Sequence, residues 1–321
     1  MKHERTSGNE FDFIDWVKTK LGKLPPEVLV GPGDDCAVIH YANDDQILLK
    51  TDSLLEGVHV QFSDPAKPGY ATPEQAGYKV MARSISDVAA MGGVPCYATI
   101  ATALPQGRGP AFREGLLAGL QRAAHAHNTF IIGGDTKSWS ADDKLVLSVH
   151  LFGDMQGFHP VLRSGAREGD AIFVTGELGG SILGKHVSFA PRVGEGRWFA
   201  SVHAHAMIDL SDGLSGDLLH ICKASGVGAL IEAEKLPVSK DALILEKRDG
   251  MSALEHALHD GEDFELLVCI AREKADEVQK TWPFATKLTR IGTVTEKAGG
   301  LRISHGGKKQ PLPIKAYEHE L

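Results

Sequence analysis

The sequence is poor in cysteine: Cys36, Cys96, Cys222 and Cys269 lie far apart, with no C-x-x-C pair. That spacing supports neither a zinc site nor a disulfide framework, and it suits a reducing, cytoplasmic setting. No stretch approaches the roughly 18 apolar residues of a membrane span, and the opening MKHERTSGNE lacks the apolar core of a signal peptide. Neither membrane anchoring nor secretion is expected. Positive charge is also scarce. With 34 Lys and Arg against 42 Asp and Glu the net charge is -8, which argues against a nucleic-acid or anionic-membrane surface. A phosphate-rich ligand would then need bridging cations. Three signatures are missing as well: the G-x-x-x-x-G-K-[ST] phosphate loop, the G-x-S-x-G elbow and the H-R-D-L-x-x-x-N kinase set.

What is present is a globular composition, 42% hydrophobic and 24% charged, enough to bury a core without metal or disulfide staples. A chain of 321 residues suggests two domains at roughly 150 residues each. Phe11, Ile14, Val17 and Leu21 recur at helical spacing, and Ile47, Leu48 and Leu49 form a short strand ending at Thr51-Asp52. A helix is expected from Pro73 to Met91, stopped by Gly92-Gly93 and followed by the strand CYATIATAL. Next come a helix over 110–127, a short strand over 129–132 ending in Gly133-Gly134-Asp135, and an alternating strand over 144–152. The Gly-rich, polar segment 153–170 puts a boundary near residue 155. Beyond it the pattern predicts the strand AIFVTG, a helix from about 179, a helix after Asp212-Gly213, and strands near 227–232, 264–270 and 287–294.

Aspartates recur at these boundaries, in GPGDD (31–35), TD (51–52), SD (86–87), GGD (133–135), DLSDG (209–213) and GED (261–263). Glycine permits a tight turn, and a short carboxylate beside it projects a hard oxygen ligand from a rigid base. If several converge, they suit magnesium, which takes oxygen ligands and is commonly shared with substrate phosphates. Each pair alone is equally a turn former. Asp212 reads as the N-cap of the following helix, and Asp87 as a solvated helix position.

Taken in order, GPGDDCAVI, KTDSLLEGVH, SISDVAAMGGVP, IIGGDTK, VLRSGAREGD, VTGELGGS, FAPRV, MIDLSDGLSGDL, DGEDFELL and AYEH resemble the thiamine-monophosphate kinase family, within the aminoimidazole-ribonucleotide-synthetase-like ATP-binding superfamily. The resemblance spans nearly the whole chain. It implies an α+β, two-domain synthetase-like fold whose N-terminal mixed sheet closes a β-barrel across a homodimer. Residues 1–155 would form the ATP- and metal-binding, dimerising domain, and 156–321 the α+β domain that completes the nucleotide and substrate site. By similarity, Asp34, Asp35 (the preferred member of that pair), Thr51, Asp52, Asp87, Asp135, Asp209 and Asp212 would hold several Mg2+ ions. Gly134, Asp135, Arg163 and Ser211 would approach ATP, and His59, Glu262 and Tyr317 the thiamine monophosphate. No catalytic side chain is implied, because the γ-phosphoryl group passes in line to an acceptor that is already an anion. Positioning and charge neutralisation are what such a transfer needs.

Two departures from the family pattern stand out. Lys50 occupies the position before Thr51-Asp52 where a small hydroxyl residue is more usual, so its ammonium can repel a metal or contact phosphate. Ser84 stands where the family usually has Asn. Relatives that activate selenide, or that mature hydrogenases, would carry a reactive Cys near the start or in the tail. Here the first Cys is Cys36 and the sequence ends KAYEHEL. A catalytically silent nucleotide- or thiamine-phosphate-binding protein is disfavoured, since every acidic position of the motif set is filled.

Overall fold

The computed structural model describes residues 18–21, 23–41 and 45–315. Tyr317, and most of the helix expected around Phe11, Ile14 and Val17, lie outside the described residues.

The first half builds one sheet from β1 (Val28–Val30), β2 (Ala37–His40), β3 (Gln46–Leu55), β4 (Val94–Pro105), β5 (Phe130–Trp139) and β6 (Val146–Asp154), in the order β1-β2-β3-β6-β4-β5. All neighbours are antiparallel except β4 and β5, which are joined through a helical crossover. Among the described residues the sheet is open, with β1 and β5 at its edges, and no barrel closes within one chain. Two helices cover one face: α1 (Pro73–Ala90) and α2 (Pro110–Ala126). α1 begins where the sequence says it should. The Thr72 hydroxyl accepts from Gln75 N–H, the Gln75 side chain returns to the Thr72 N–H, and Pro73 opens the first turn. On β3 the period of two puts Leu48 and Leu54 in the core and leaves Leu49 and Leu55 exposed on the other face.

The second half builds a sheet from β7 (Ala171–Thr175), β8 (Ala206–Asp209), β9 (Gly228–Glu232), β10 (Leu266–Ile270), β11 (Leu288–Thr295), β12 (Leu301–His305) and β13 (Lys308–Pro311). Its order is β13-β12-β9-β11-β7-β10-β8, and only β9 and β12 run parallel. Around it pack α3 (Val193–Ser201), α4 (Leu214–Ser225), α5 (Lys240–Asp249), α6 (Ala253–His259) and α7 (Ala275–Thr281). β7 and β10 are buried at every residue because both faces of the sheet are covered there. With two mixed sheets and segregated helices the class is α+β. The halves interlock: Val187, Phe189 and Phe264 of the second half belong to the core formed by Leu48, Val80, Ile85 and Val149 of the first.

Four sequence expectations change. β3 does not stop at Thr51-Asp52, and β5 does not stop before Gly133, because pairing with the long strands β6 and β4 carries both onward. The helix expected from about 179 is two short 3-10 turns, Ser181–Leu183 and Lys185–Val187; Gly180 (φ 78°) and Gly184 (φ 145°) break the helical path, and α3 starts only at Val193. Asp87 is buried, not solvated, because α1 is enclosed on almost all sides.

Candidate active site

Three carboxylates meet where the two halves touch. Asp35 comes from the segment entering β2, Asp87 from α1 and Asp209 from the last position of β8. One oxygen of each lies within 4.8 Å of the others, and all three side chains are buried. Arg163 Nη2 donates to Asp35 Oδ1 at 2.6 Å, Ser86 Oγ donates to Asp209 Oδ2 at 2.6 Å, and Lys50 Nζ lies 2.8 Å from Asp87 Oδ1. Burial, then the nearby Asp35 charge, pushes Asp209 up to about 7. Burial likewise raises Asp87 well above the usual carboxylate range, although Lys50 opposes it. Beside them Asp34 accepts from the backbone N–H groups of Asp35 (2.9 Å) and Arg163 (3.2 Å), yet burial and Asp35 lift it to about 6. Asp35 Oδ2 is buried without a hydrogen-bond partner among the described residues. An orphaned oxygen among three crowded carboxylates is a donor set that fits a hard divalent cation such as Mg2+.

A second acidic group adjoins the first. Asp212 and Asp217, together with His220, again bring ligand atoms within 4.8 Å of one another. Asp212 is not the cap of α4: Gly213 takes that position at φ 101°, and the Asp212 N–H donates instead to Asp217 Oδ2 at 3.2 Å. Burial, then Asp212, raises Asp217 well above its ordinary value, while burial and Arg163 push His220 down to about 4. Asp217 and His220 were not singled out from the sequence. Their signal was the spacing of three in SGDLLH, which puts both on one face of the helix that Gly213 caps.

Two of the residues expected at the acceptor, His59 and Glu262, are joined by a lysine that sequence reasoning missed. Lys79 on α1 is wholly buried; its Nζ lies 2.6 Å from Glu262 Oε1 and donates to the His59 carbonyl at 2.9 Å. Glu262 (φ 63°) and Phe264 (φ 49°) are held in left-handed conformations by N–H bonds to Ser211 O and Leu210 O, both 2.8 Å. The loop carrying Glu262 is thereby fastened to the loop carrying Ser211 and Asp212. Lys79, Arg83 and Asp87 follow one another at intervals of four along α1, so one helix face spans the acceptor side and the carboxylate cluster. Arg83 Nε lies 3.1 Å from Asp52 Oδ2, and its Nη1 is buried without a partner among the described residues.

Not every expected residue joins this centre. Lys50 and Asp52 point toward α1, so the alternation of β3 turns the Thr51 hydroxyl to the opposite face, where it meets His150 Nδ1 at 3.0 Å. Gly134 and Asp135 lie on edge strand β5. The register Asp52, Val149, Ile100, Gly134 crosses three strand spacings, roughly 14 Å. Asp135 is exposed there and pairs with Lys137 at 2.7 Å.

Residues 33–155 match the family AIR synthase related protein, N-terminal domain, and residues 192–303 match its C-terminal domain. Fold and carboxylate cluster therefore define an AIR synthase related protein. The thiamine-monophosphate kinase of Rhodopirellula baltica is 38% identical over 298 residues, 90% of each chain, and that of Aquifex aeolicus 33% identical over 330 residues, 97% of each. The solved structure of AaThiL complexed with AMPPCP and TMP is 30% identical with a TM-score of 0.81, covering 97% of both chains. Within its class, this chain belongs to the thiamine-monophosphate kinase family.

Proposed function

We propose that the chain transfers the γ-phosphoryl group of ATP to the phosphate of thiamine monophosphate, giving thiamine diphosphate and ADP. The observation that carries this reading is the meeting of Asp35, Asp87 and Asp209 within 4.8 Å, in a relative of kinases named for that acceptor. Asp34, Asp35, Asp87, Asp209 and Asp212 would hold Mg2+, which when bound supplies neutralisation of the phosphate charge. The chain's own residues do the rest. Arg163, through an Nε buried without a partner among the described residues, and Arg83, through its Nη1, have N–H groups left to offer phosphate oxygens. Ser211 is kept beside the acceptor loop by its carbonyl bond to Glu262 N–H. His59, Glu262 and Tyr317 would bind the acceptor, with Lys79 fixing Glu262. No side chain is asked to remove a proton, since the attacking phosphate oxygen is anionic already. Thr51, Gly134 and Asp135 enter this reading only if assembly or a bound nucleotide brings them to the cluster.

The same reading divides the chain near residue 155 and makes it a homodimer. Leu49, Tyr97, Ile132 and Phe152 line a hollow of about 310 Å³ on the uncovered face of the first sheet. Tyr97 is 48% and Ile132 64% exposed, which is the surface a second subunit would cover to close the barrel. All four cysteines are free thiols, in keeping with a reducing cytoplasm. The test is incubation with ATP, Mg2+ and thiamine monophosphate, followed by separation of the thiamine phosphates. Thiamine diphosphate and ADP are expected in equal amounts, and ATP left intact would overturn the proposal.

A further inference from the structure

Two cations of the chain itself are already seated on carboxylates of the site. Lys50 Nζ lies 2.8 Å from Asp87 Oδ1, while Arg83 reaches Asp52 with Nε at 3.1 Å and Nη2 at 3.4 Å. These are not loose surface pairs: none of the four side chains is more than 22% exposed. Lys50 and Asp52 project from one face of β3 toward α1, and Arg83 and Asp87 stand one turn apart on α1. The four charges thus alternate in a row, Arg83, Asp52, Lys50, Asp87, along the wall of the site.

Position and charge argue alike. A magnesium ion needs its oxygen ligands at about 2.0–2.1 Å in near-octahedral array, and an ammonium at hydrogen-bond distance blocks one direction of approach to Asp87. A fixed positive charge beside Asp52 and Asp87 also weakens the negative potential that would draw a further dication there. Asp209 differs in being met by a neutral hydroxyl, and Asp35, although Arg163 holds its Oδ1 at 2.6 Å, keeps Oδ2 with no hydrogen-bond partner among the described residues.

We propose that Lys50, backed by Arg83, takes the place of one divalent cation in this chain. The Asp52 side of the site is neutralised by protein, and metal is held on the side of Asp35 and Asp209. The inference rests on reading Asp35, Asp87 and Asp209 as a metal site.

The probe is Mn2+, with free ion measured by electron paramagnetic resonance on the full chain in the presence of a non-hydrolysable ATP analogue. Lys50→Ser is expected to bind one Mn2+ more per chain than the native protein, or to tighten its weakest ion roughly tenfold or more. Lys50→Arg should keep the native count. Thermal unfolding gives a second reading: in EDTA Lys50→Ser should melt below the native chain, and Mn2+ should raise its melting temperature by more. If Lys50→Ser does not fold, Lys50→Met keeps the length without the charge, and Arg83→Met frees Asp52 independently. Equal counts and affinities in native chain, neutral variants and Lys50→Arg would overturn the proposal. A native chain that binds no Mn2+ would remove it together with the metal reading. An added ion in Lys50→Ser would sustain it even if no thiamine diphosphate forms, in which case only the choice of acceptor falls.

Discussion

Lys79 and Glu262 are unequal partners, and the inequality predicts how each tolerates loss. The Lys79 side chain is 0% exposed, whereas that of Glu262 is 27% exposed and can be hydrated. Glu262→Gln leaves a buried ammonium with the His59 carbonyl and no counter-charge, so it should cost about 3 kcal/mol in urea unfolding. Lys79→Met should cost less. If Glu262 also contacts the acceptor, Glu262→Gln should raise KM for thiamine monophosphate roughly tenfold, with little change for ATP. Equal effects on both substrates would mean general damage to the site. Asp209 carries a pH prediction. Its carboxyl rises from 3.8 unfolded to about 7 folded, so between those values the folded chain holds a proton that the unfolded chain has released. Raising the pH strips that proton and lowers stability across this window. Asp34 and Asp263, both lifted to about 6, act with the same sign. Asp52 and Glu265 are lowered, so what they contribute is lost only on acidification below the usual carboxylate range. Metal-free protein should therefore melt lower at pH 7.5 than at pH 5, roughly the window set by these carboxyls, with Mg2+ restoring more at the higher pH. Asp209→Asn should flatten that profile and abolish turnover; an unchanged profile would mean that the crowding at Asp209 is relieved some other way.

At the level of elements, α1 is the pivot. It carries Lys79, Arg83 and Asp87 to the site, and it comes close to its neighbours through glycine. A Cβ at Gly77 would run into the Leu116 carbonyl of α2, and one at Gly196 of α3 into the Ala89 carbonyl of α1. Gly77→Ala should thus destabilise by about 1–3 kcal/mol in denaturant melts, although alanine favours helix. Neutral or improved stability would show that the helices can part without cost. The ends of α1 were legible from Pro73 and Gly92-Gly93, since starters and breakers are local chemistry. The lengths of β3 and β5 were not, because partner strands set them, and neither was the burial of Asp87, because a helix enclosed on most sides leaves no apolar stripe to contrast with a wet one. Of the site, the aspartates of GDD, SD and DLSD could be read from the motifs, and Asp35, Asp87 and Asp209 do meet. Lys79 could not, since a lysine within a helix signals nothing until its partner, 183 residues later, is in place.

For the whole molecule, the open face of the first sheet sets the oligomer prediction. The chain should sediment at twice its own mass, and Ile132→Glu, which puts a charge into the apolar hollow, should give monomers with unchanged secondary structure by circular dichroism. A native monomer at micromolar concentration would contradict the dimer. The two halves also meet in time as well as in space. Ser86 and Asp209, which hydrogen-bond in the cluster, are 123 residues apart. At about 5–20 residues per second of synthesis, a ribosome that has just finished α1 needs several more seconds to deliver β8. Until then Asp35 and Asp87 have no third carboxylate, Lys79 has no glutamate, and Lys50 is already a partner for Asp87. A half-made chain therefore has little with which to capture metal and nucleotide, and its first core too waits for Val187, Phe189 and Phe264 of the second half.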